Sequence, residues 1–331
     1  MLEQVLKGIA TQRARWAAAF LRLPANLQGA GWLLFSAVLF TFSSVLIKRL
    51  GAELDGFQVA LFRAAAGLMF TLPFLVRTGL SSLMTQQPAL QMVRAVAAAI
   101  AIAANFYALI HLPLANATAL SFSRSLFLVP LAIVFLNEKV GWRRTFATLA
   151  GFLGVLIVLR PAVSVDVAAL AALLAALCVA IAAICVNILS RTDSPATLLF
   201  YSGAVSTLLL AVPAALAWQT PTPHQWFWLI TMGGLSVAAQ GCFIRAFAIG
   251  EATSLAPVDY TRLLFATIAG FVFFANLPDV WTLAGSGVII GSTLYITRRE
   301  ARLGKRDIPP PPIAAAETGL GSRDPHARRR D

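Results

Sequence analysis

The sequence predicts an all-α fold, a polytopic membrane protein of ten transmembrane helices arranged as two inverted five-helix repeats. Three observations lead there: a chain nearly emptied of charge, a regular succession of apolar segments of spanning length, and a repeat at constant spacing. Of 331 residues, 59% are hydrophobic and 12% charged, against about a quarter charged in an ordinary soluble domain. Such a composition cannot furnish a water-exposed surface. The net charge of +12 does not signal nucleic-acid binding, because the basic residues sit in tails and short connections rather than on a folded surface. Cys178, Cys185 and Cys242 lie inside apolar segments without metal-ligand spacing, so they read as small buried apolar side chains. No metal and no cofactor is expected.

Residues 1–28 form a basic tail in which Arg13, Arg15 and Arg22 interrupt any signal-peptide core, so the tail is expected to be retained. Leu2, Val5, Leu6 and Ile9 recur at helical spacing beside Lys7, which suits an anionic membrane surface as well as it suits a solvated tail. Ten apolar segments follow, at 29–50, 57–76, 93–112, 114–136, 145–159, 167–189, 197–218, 226–248, 252–275 and 281–296. Most approach the ~20 residues a spanning helix needs. The fifth and tenth are short, and Arg143, Arg144, Arg298 and Arg299 can snorkel outward at their ends. From 299 to 331 the chain turns to proline, alanine, glycine and charge, a composition that cannot pack a core and is expected to be disordered.

Orientation follows from the connections. With the N-terminus cytoplasmic, nearly all Lys and Arg outside the spans face inward, and only Lys48, Arg49 and Arg160 face out. That bias places both termini in the cytoplasm.

At a constant offset of 138 residues, Asn105–Leu109 aligns with Phe243–Phe247, Phe122-Ser123-Arg124 with Tyr260-Thr261-Arg262, and Leu126-Phe127 with Leu264-Phe265. Hydropathy, loop positions and one intramembrane arginine coincide. The repeats are expected at 29–160 and 161–298. Five helices per repeat make the second copy enter the membrane from the opposite side, the construction of many secondary transporters with a midplane site between the halves.

The phrase Phe135-Leu136-Asn137-Glu138-Lys139-Val140-Gly141-Trp142-Arg143-Arg144, the run Gly151–Val155, Arg63 in the second segment and Leu277-Pro278-Asp279-Val280-Trp281-Thr282 resemble the EamA branch of the drug/metabolite transporter superfamily, over roughly 30–298. The resemblance implies a bacterial inner-membrane carrier of small metabolites, such as amino acids, vitamins, nucleoside-like compounds or drugs, with a cavity lined by both halves. Riboflavin and S-adenosylmethionine fit such a family equally. Many members close each fourth helix with Gly-Glu, where this chain has Asn137–Glu138 and then Ala275–Asn276, so a mechanism needing paired acids there is not implied.

A charged side chain at a helix centre costs about 2.5–3.5 kcal/mol on insertion scales, which makes Arg63, Arg124, Arg245 and Arg262 candidates for function. Arg124 and Arg262 repeat one another and suit bidentate binding of a carboxylate or phosphate. Arg63 lies near enough a helix end to be structural, and Arg245 is open to either role. Asp259 is the lone acid placed well within a span, three residues before Arg262, and is suited to pair with it or to carry a coupling proton. Asn105, Tyr107, Ser121, Gln240 and Tyr260 cluster near the arginines as candidate substrate contacts, beside Ser36, Ser43, Ser44 and Ser123. Any single hydroxyl is explained more simply by helix–helix hydrogen bonding. Phe122 and Tyr260 suit stacking on a flat ligand. Glu138, with Lys139 and Arg143, ends a helix at the cytoplasmic face as a loop ion pair or a gate contact. Gly151, Gly154, Gly285, Gly287 and Gly291 allow close helix approach, either within the protomer or in a homodimer.

The expected partners are a small-molecule substrate, membrane lipid and a coupling proton or ion. A membrane enzyme would need a nucleophile with its base or a metal cluster, and His111, His224 and His326 are scattered between loops and tail. A channel would carry a filter sequence or selectivity ring, which the sequence lacks.

Overall fold

The computed structural model describes residues 24–78, 85–136, 142–159, 166–190, 192–250, 255 and 258–303. The expectations for the N-terminal tail to residue 23, for Glu138 and its loop, for Arg160, and for the tail from residue 304 fall outside them, while residues 299–303, expected to begin a disordered tail, continue the last helix to Leu303. The described residues form eleven helices and no strand: α1 (Ala25–Leu50), α2 (Gly56–Thr78), α3 (Pro88–His111), α4 (Leu114–Ser121), α5 (Arg124–Leu136), α6 (Trp142–Leu159), α7 (Val167–Leu189), α8 (Pro195–Leu216), α9 (Pro223–Ile249), α10 (Thr261–Phe274) and α11 (Val280–Leu303).

Six helices are long and apolar enough to cross a membrane, counting α4 and α5 together as Leu114–Phe135, and four shorter apolar helices cover Gly56–Leu72, Thr145–Leu159, Thr261–Phe274 and Val280–Ile296. Their starts are written locally. Pro88, Pro195 and Pro223 occupy first-turn positions, where a missing N–H breaks no helical bond. Asp166 caps α7 through the Ala168 N–H at 2.8 Å, and Thr222 with Gln225 forms a capping box on α9.

The element bounds carry the repeat. Shifted by 138 residues, α2 falls on α8, α3 on α9, α5 on α10 and α6 on the start of α11. The fourth helix is tightened in both copies. Ser125 donates to the Phe122 carbonyl at 3.2 Å, and at the equivalent place Leu263 donates to the Tyr260 carbonyl at 3.0 Å. These bonds reach three residues back instead of four, as in a 3₁₀ turn. The sequence reads 114–136 as one unbroken segment, since hydropathy is blind to a one-turn change in backbone pitch.

The third helix begins at Pro88, not near residue 93. Its first turns carry Gln91 and Arg94, which look like loop residues yet are buried against α8. Gln91 donates to the Thr197 carbonyl at 3.4 Å and Arg94 to the Leu198 carbonyl at 2.5 Å.

The most extensive packing joins the halves rather than the helices within one half: α1 with α9, α3 with α7, α2 with α8 and α6 with α11. The first two pairs are equivalent under the repeat but are glued differently. Across α1–α9, the Ser43 and Ser236 hydroxyls meet at 2.7 Å and Ser36 donates to the Ala239 carbonyl at 2.8 Å. Across α3–α7, Ala97, Ala101 and Cys178 pack without hydrogen-bonding side chains. In the α6–α11 crossing, a Cβ on Gly285 would lie 2.6 Å from the Gly154 carbonyl oxygen and one on Gly154 would lie 2.9 Å from that of Gly285. Glycine is therefore required at both positions for the backbones to touch.

At the end of α10, Ala275 takes φ 53, the one positive φ at a non-glycine among the described residues. Its left-handed turn lets Asn276 donate to the Gly270 carbonyl at 3.0 Å. This is where the family resemblance places glycine, and alanine there carries a left-handed penalty of about 1 kcal/mol.

Two stability measurements follow, both by thermal unfolding of purified protein in detergent. Gly285→Val should destabilise the fold by about 1–3 kcal/mol through overpacking against backbone. Ala275→Gly should stabilise it by about 0.5–1 kcal/mol by relieving the left-handed turn.

Candidate functional site

Between the halves lies a cavity of about 440 Å³ lined by α1, α2, α3, α4, α5, α7, α9 and α10, within the few-hundred-Å³ range of small-molecule sites. Neither α6 nor α11 reaches it. Its walls differ in character. One side carries Ser43 and Ser44 of α1, Arg63 of α2, Asn105 of α3, Ser121 of α4, Arg124 of α5, Gln240 of α9 and Arg262 of α10. From α7 the cavity receives only apolar side chains, Ala172, Ala175, Ala176, Val179 and Ala182. A shallower apolar depression between α6 and α11, walled by Trp142, Phe146 and Tyr295, holds no charged group and lies apart from the arginines.

Five of the eight expected substrate contacts therefore meet in one space: Arg124, Arg262, Asn105, Ser121 and Gln240. Arg63, expected to be a structural residue, joins them. Three do not line the cavity. Tyr107 is exposed on α3, stacked on His111 with ring centroids 4.1 Å apart. Arg245 lies on the exposed side of α9, within five residues of its C-terminal end, its guanidinium 5.0 Å from the Trp32 ring centroid. A cation that near a helix end, resting on an indole, has the setting of an interfacial anchor. Tyr260 meets its repeat counterpart Phe122 edge-on, with centroids 4.8 Å apart. These two rings pack on each other across the pseudo-axis instead of flanking an open slot.

The charges are paired asymmetrically. The sequence spacing suggests Asp259 with Arg262, three residues on. Asp259 instead faces the other half, where its Oδ2 accepts from the Arg124 guanidinium at 3.3 Å. The carboxylate is buried while the Arg124 side chain is 32% exposed toward the cavity. Asp259 Oδ1 has no hydrogen-bond partner among the described residues. Arg262 lies with its guanidinium 4.8 Å from the Phe40 ring centroid. Among the described residues, neither Arg262 nor Arg63 has a carboxylate within salt-bridge distance, although Asp259 is near enough to act electrostatically on Arg262. The cavity is thus lined by three guanidiniums, one of them neutralised.

The hydroxyls divide as helix packing demands. Ser36 is committed to α9 and lines nothing, while Ser43 bonds to Ser236 at the cavity edge. Ser121 donates to the Thr118 carbonyl one turn back at 2.7 Å, leaving its lone pairs free to accept from a guanidinium. Sequence reasoning missed Arg94 and Gln91. Their signal was the i, i+3 spacing behind Pro88, which puts both on one face of an early helical turn.

A model of the EamA-like transporter family matches residues 27–160 and again 166–298. The chain belongs to the EamA-like transporter family. An S-adenosylmethionine uptake transporter of Rickettsia bellii is 34% identical over 276 residues, spanning 83% of this chain and 94% of that protein. A riboflavin transporter of Vibrio cholerae is 32% identical over 290 residues, spanning 85% and 96%. The pseudopaline exporter of Pseudomonas aeruginosa is 30% identical over 281 residues, spanning 82% and 98%. A solved crystal structure matches with TM-score 0.55 at 18% identity, covering 84% of this chain and 98% of its own, a likeness of fold alone. This EamA protein is a multi-pass membrane transporter of small metabolites in the drug/metabolite transporter superfamily, of the bacterial inner membrane. Family and relatives point to transport and not to an enzyme.

The Arg124–Asp259 contact is expected to hold the halves together. Removing one partner of a buried pair costs 3–5 kcal/mol, and the exposure of Arg124 reduces this to about 2 kcal/mol for Asp259→Asn. A double-mutant cycle with Arg124→Gln, read by thermal unfolding in detergent, should return a coupling of about 1 kcal/mol or more.

Proposed function

We propose that this EamA protein is a secondary transporter that moves a small anionic or zwitterionic metabolite by alternating access of the cavity between two inverted five-helix repeats. In this reading ten helices cross the membrane, residues 29–160 and 161–298 form the repeats, and the tails at 1–28 and 299–331 are cytoplasmic. The observation that carries it is the excess of guanidinium over carboxylate in the cavity between the halves. Two cations left without carboxylates in a water-poor site are costly, and a ligand that brings its own negative group relieves that cost. Arg262, Arg63, Asn105, Ser121 and Gln240 are the proposed ligand contacts. The alanine face of α7 receives the apolar part of the ligand.

A second reading, S-adenosylmethionine as cargo, is favoured by the Rickettsia relatives of that name. That molecule has a carboxylate for the arginine wall and a flat adenine for the α7 wall, and its sulfonium would have to sit away from Arg63 and Arg262. Asp259, the acid bonded to a cavity arginine, is the proposed coupling residue.

Purified protein in proteoliposomes should take up labelled S-adenosylmethionine, or another carboxylate-bearing metabolite from a panel, in a saturable manner. Arg262→Ala should reduce uptake by about a hundredfold, as expected for loss of a charge-assisted pair worth about 3 kcal/mol, without lowering the amount of inserted protein. Wild-type uptake rates for Arg262→Ala would refute the anion site, and unsaturable ion-like conductance would indicate a channel. Under an imposed proton gradient, wild-type uptake should vary with pH and Asp259→Asn uptake should not.

A further inference from the structure

Under the repeat, Ser121-Phe122-Ser123-Arg124 overlays Asp259-Tyr260-Thr261-Arg262. Three of the four positions keep their chemistry: aromatic, hydroxyl, guanidinium. The first does not, since Asp259 has Ser121 as its counterpart. The pseudo-two-fold axis passes between Phe122 and Tyr260, which touch each other, so whatever Asp259 does to Arg124 across the axis, residue 121 is placed to do to Arg262. Asp259 holds Arg124 at 3.3 Å. Ser121 cannot hold Arg262 in that way, for it offers a hydroxyl and no charge, and both residues border the cavity. The protein thus contains one complete carboxylate–guanidinium pair and one pair from which the carboxylate has been removed.

We propose that the transported molecule supplies the missing carboxylate. Its carboxylate lies between Arg262 and Ser121 and reproduces, on the ligand side of the axis, the contact Asp259 makes with Arg124. This rests on the transport reading and narrows it to a specific group. Arg262 and Ser121 hold the ligand, and Arg124 does not, because its charge is already met from within. The group is a carboxylate rather than a phosphate because the internal template, Asp259 on Arg124, is a carboxylate. Ser121 becomes the specificity-determining residue, since an acid there would close the site by pairing with Arg262.

The test uses the full-length protein in liposomes and reads arginine labelling by phenylglyoxal residue by residue with mass spectrometry. Arg262 should label faster than Arg124 by about tenfold, the difference that roughly 1.4 kcal/mol of pairing makes. Ser121→Asp should bring Arg262 down to the rate of Arg124, Ser121→Ala should leave it fast, and the double variant Ser121→Asp with Asp259→Ser should exchange the two rates. Where Ser121→Asp fails to insert, the wild-type protein still decides through protection. Glutamate, methionine and S-adenosylmethionine are each compared with the amine that lacks the carboxylate, and inorganic phosphate serves as the other anion. At least one acid should slow labelling of Arg262 and none of the amines should. Equal labelling of Arg124 and Arg262, protection by amines as strong as by acids, protection by phosphate alone, or protection by none of the probes would overturn the proposal. Carboxylate-dependent protection without uptake would remove the transport reading and leave this site. Saturable uptake without carboxylate-dependent protection would do the reverse.

Discussion

A guanidinium cannot shed its charge, and among apolar helices it has no water to share that charge with. Arg63, Arg124 and Arg262 open onto one space in this chain, and that space exists because helices from both halves surround them. One acid, Asp259, reaches across and satisfies Arg124. The halves are therefore tied together at the place where the cavity is most cationic. The packing around it can be read as support for that arrangement. The α1–α9 hydroxyl contacts and the α6–α11 glycine contact fix the two repeats against each other without occupying the cavity.

Duplication explains why the site is nearly symmetric, and divergence explains why it is useful. A strictly symmetric pair of halves would carry two identical arginine clusters, both paired or both open. Replacing serine by aspartate at one of two equivalent positions gives a neutral structural pair on one side of the axis and an open cation on the other. The same asymmetry runs through the walls, with hydroxyls on α1 and alanines on the equivalent α7. A ligand with one charged end and one apolar face fits such a space in one orientation.

Much of the fold was legible because bilayer solvation writes itself into long apolar runs, and because a duplicated chain repeats its punctuation. Helix starts were read less well, since Pro88, Pro195 and Pro223 open helices whose apolar runs begin only at 93, 197 and 226. Arg124, Arg262, Asn105, Ser121 and Gln240 were found from polarity inside apolar segments. What failed was geometry. Spacing put Asp259 on Arg262 because it sees only neighbours along the chain, whereas the carboxylate bonds across the interface to Arg124, 135 positions away. Arg245 looked deep because an apolar run does not say which face of its helix is covered, and Arg245 lies on the exposed side of α9 near its end. Arg94 looked like a loop residue because its partners are carbonyls of α8, and a carbonyl has no signature in sequence.

Alternating access requires that one cavity face the two sides of the membrane in turn. A single cysteine at Ser44, a cavity-lining residue of a variant lacking Cys178, Cys185 and Cys242, can be probed with a membrane-impermeant thiol reagent from either face of oriented vesicles. Labelling from both faces, with a carried ligand raising the rate from one face while lowering it from the other, is the predicted result. Labelling from one face only under all conditions, or from both faces with no reciprocal change, would contradict alternating access.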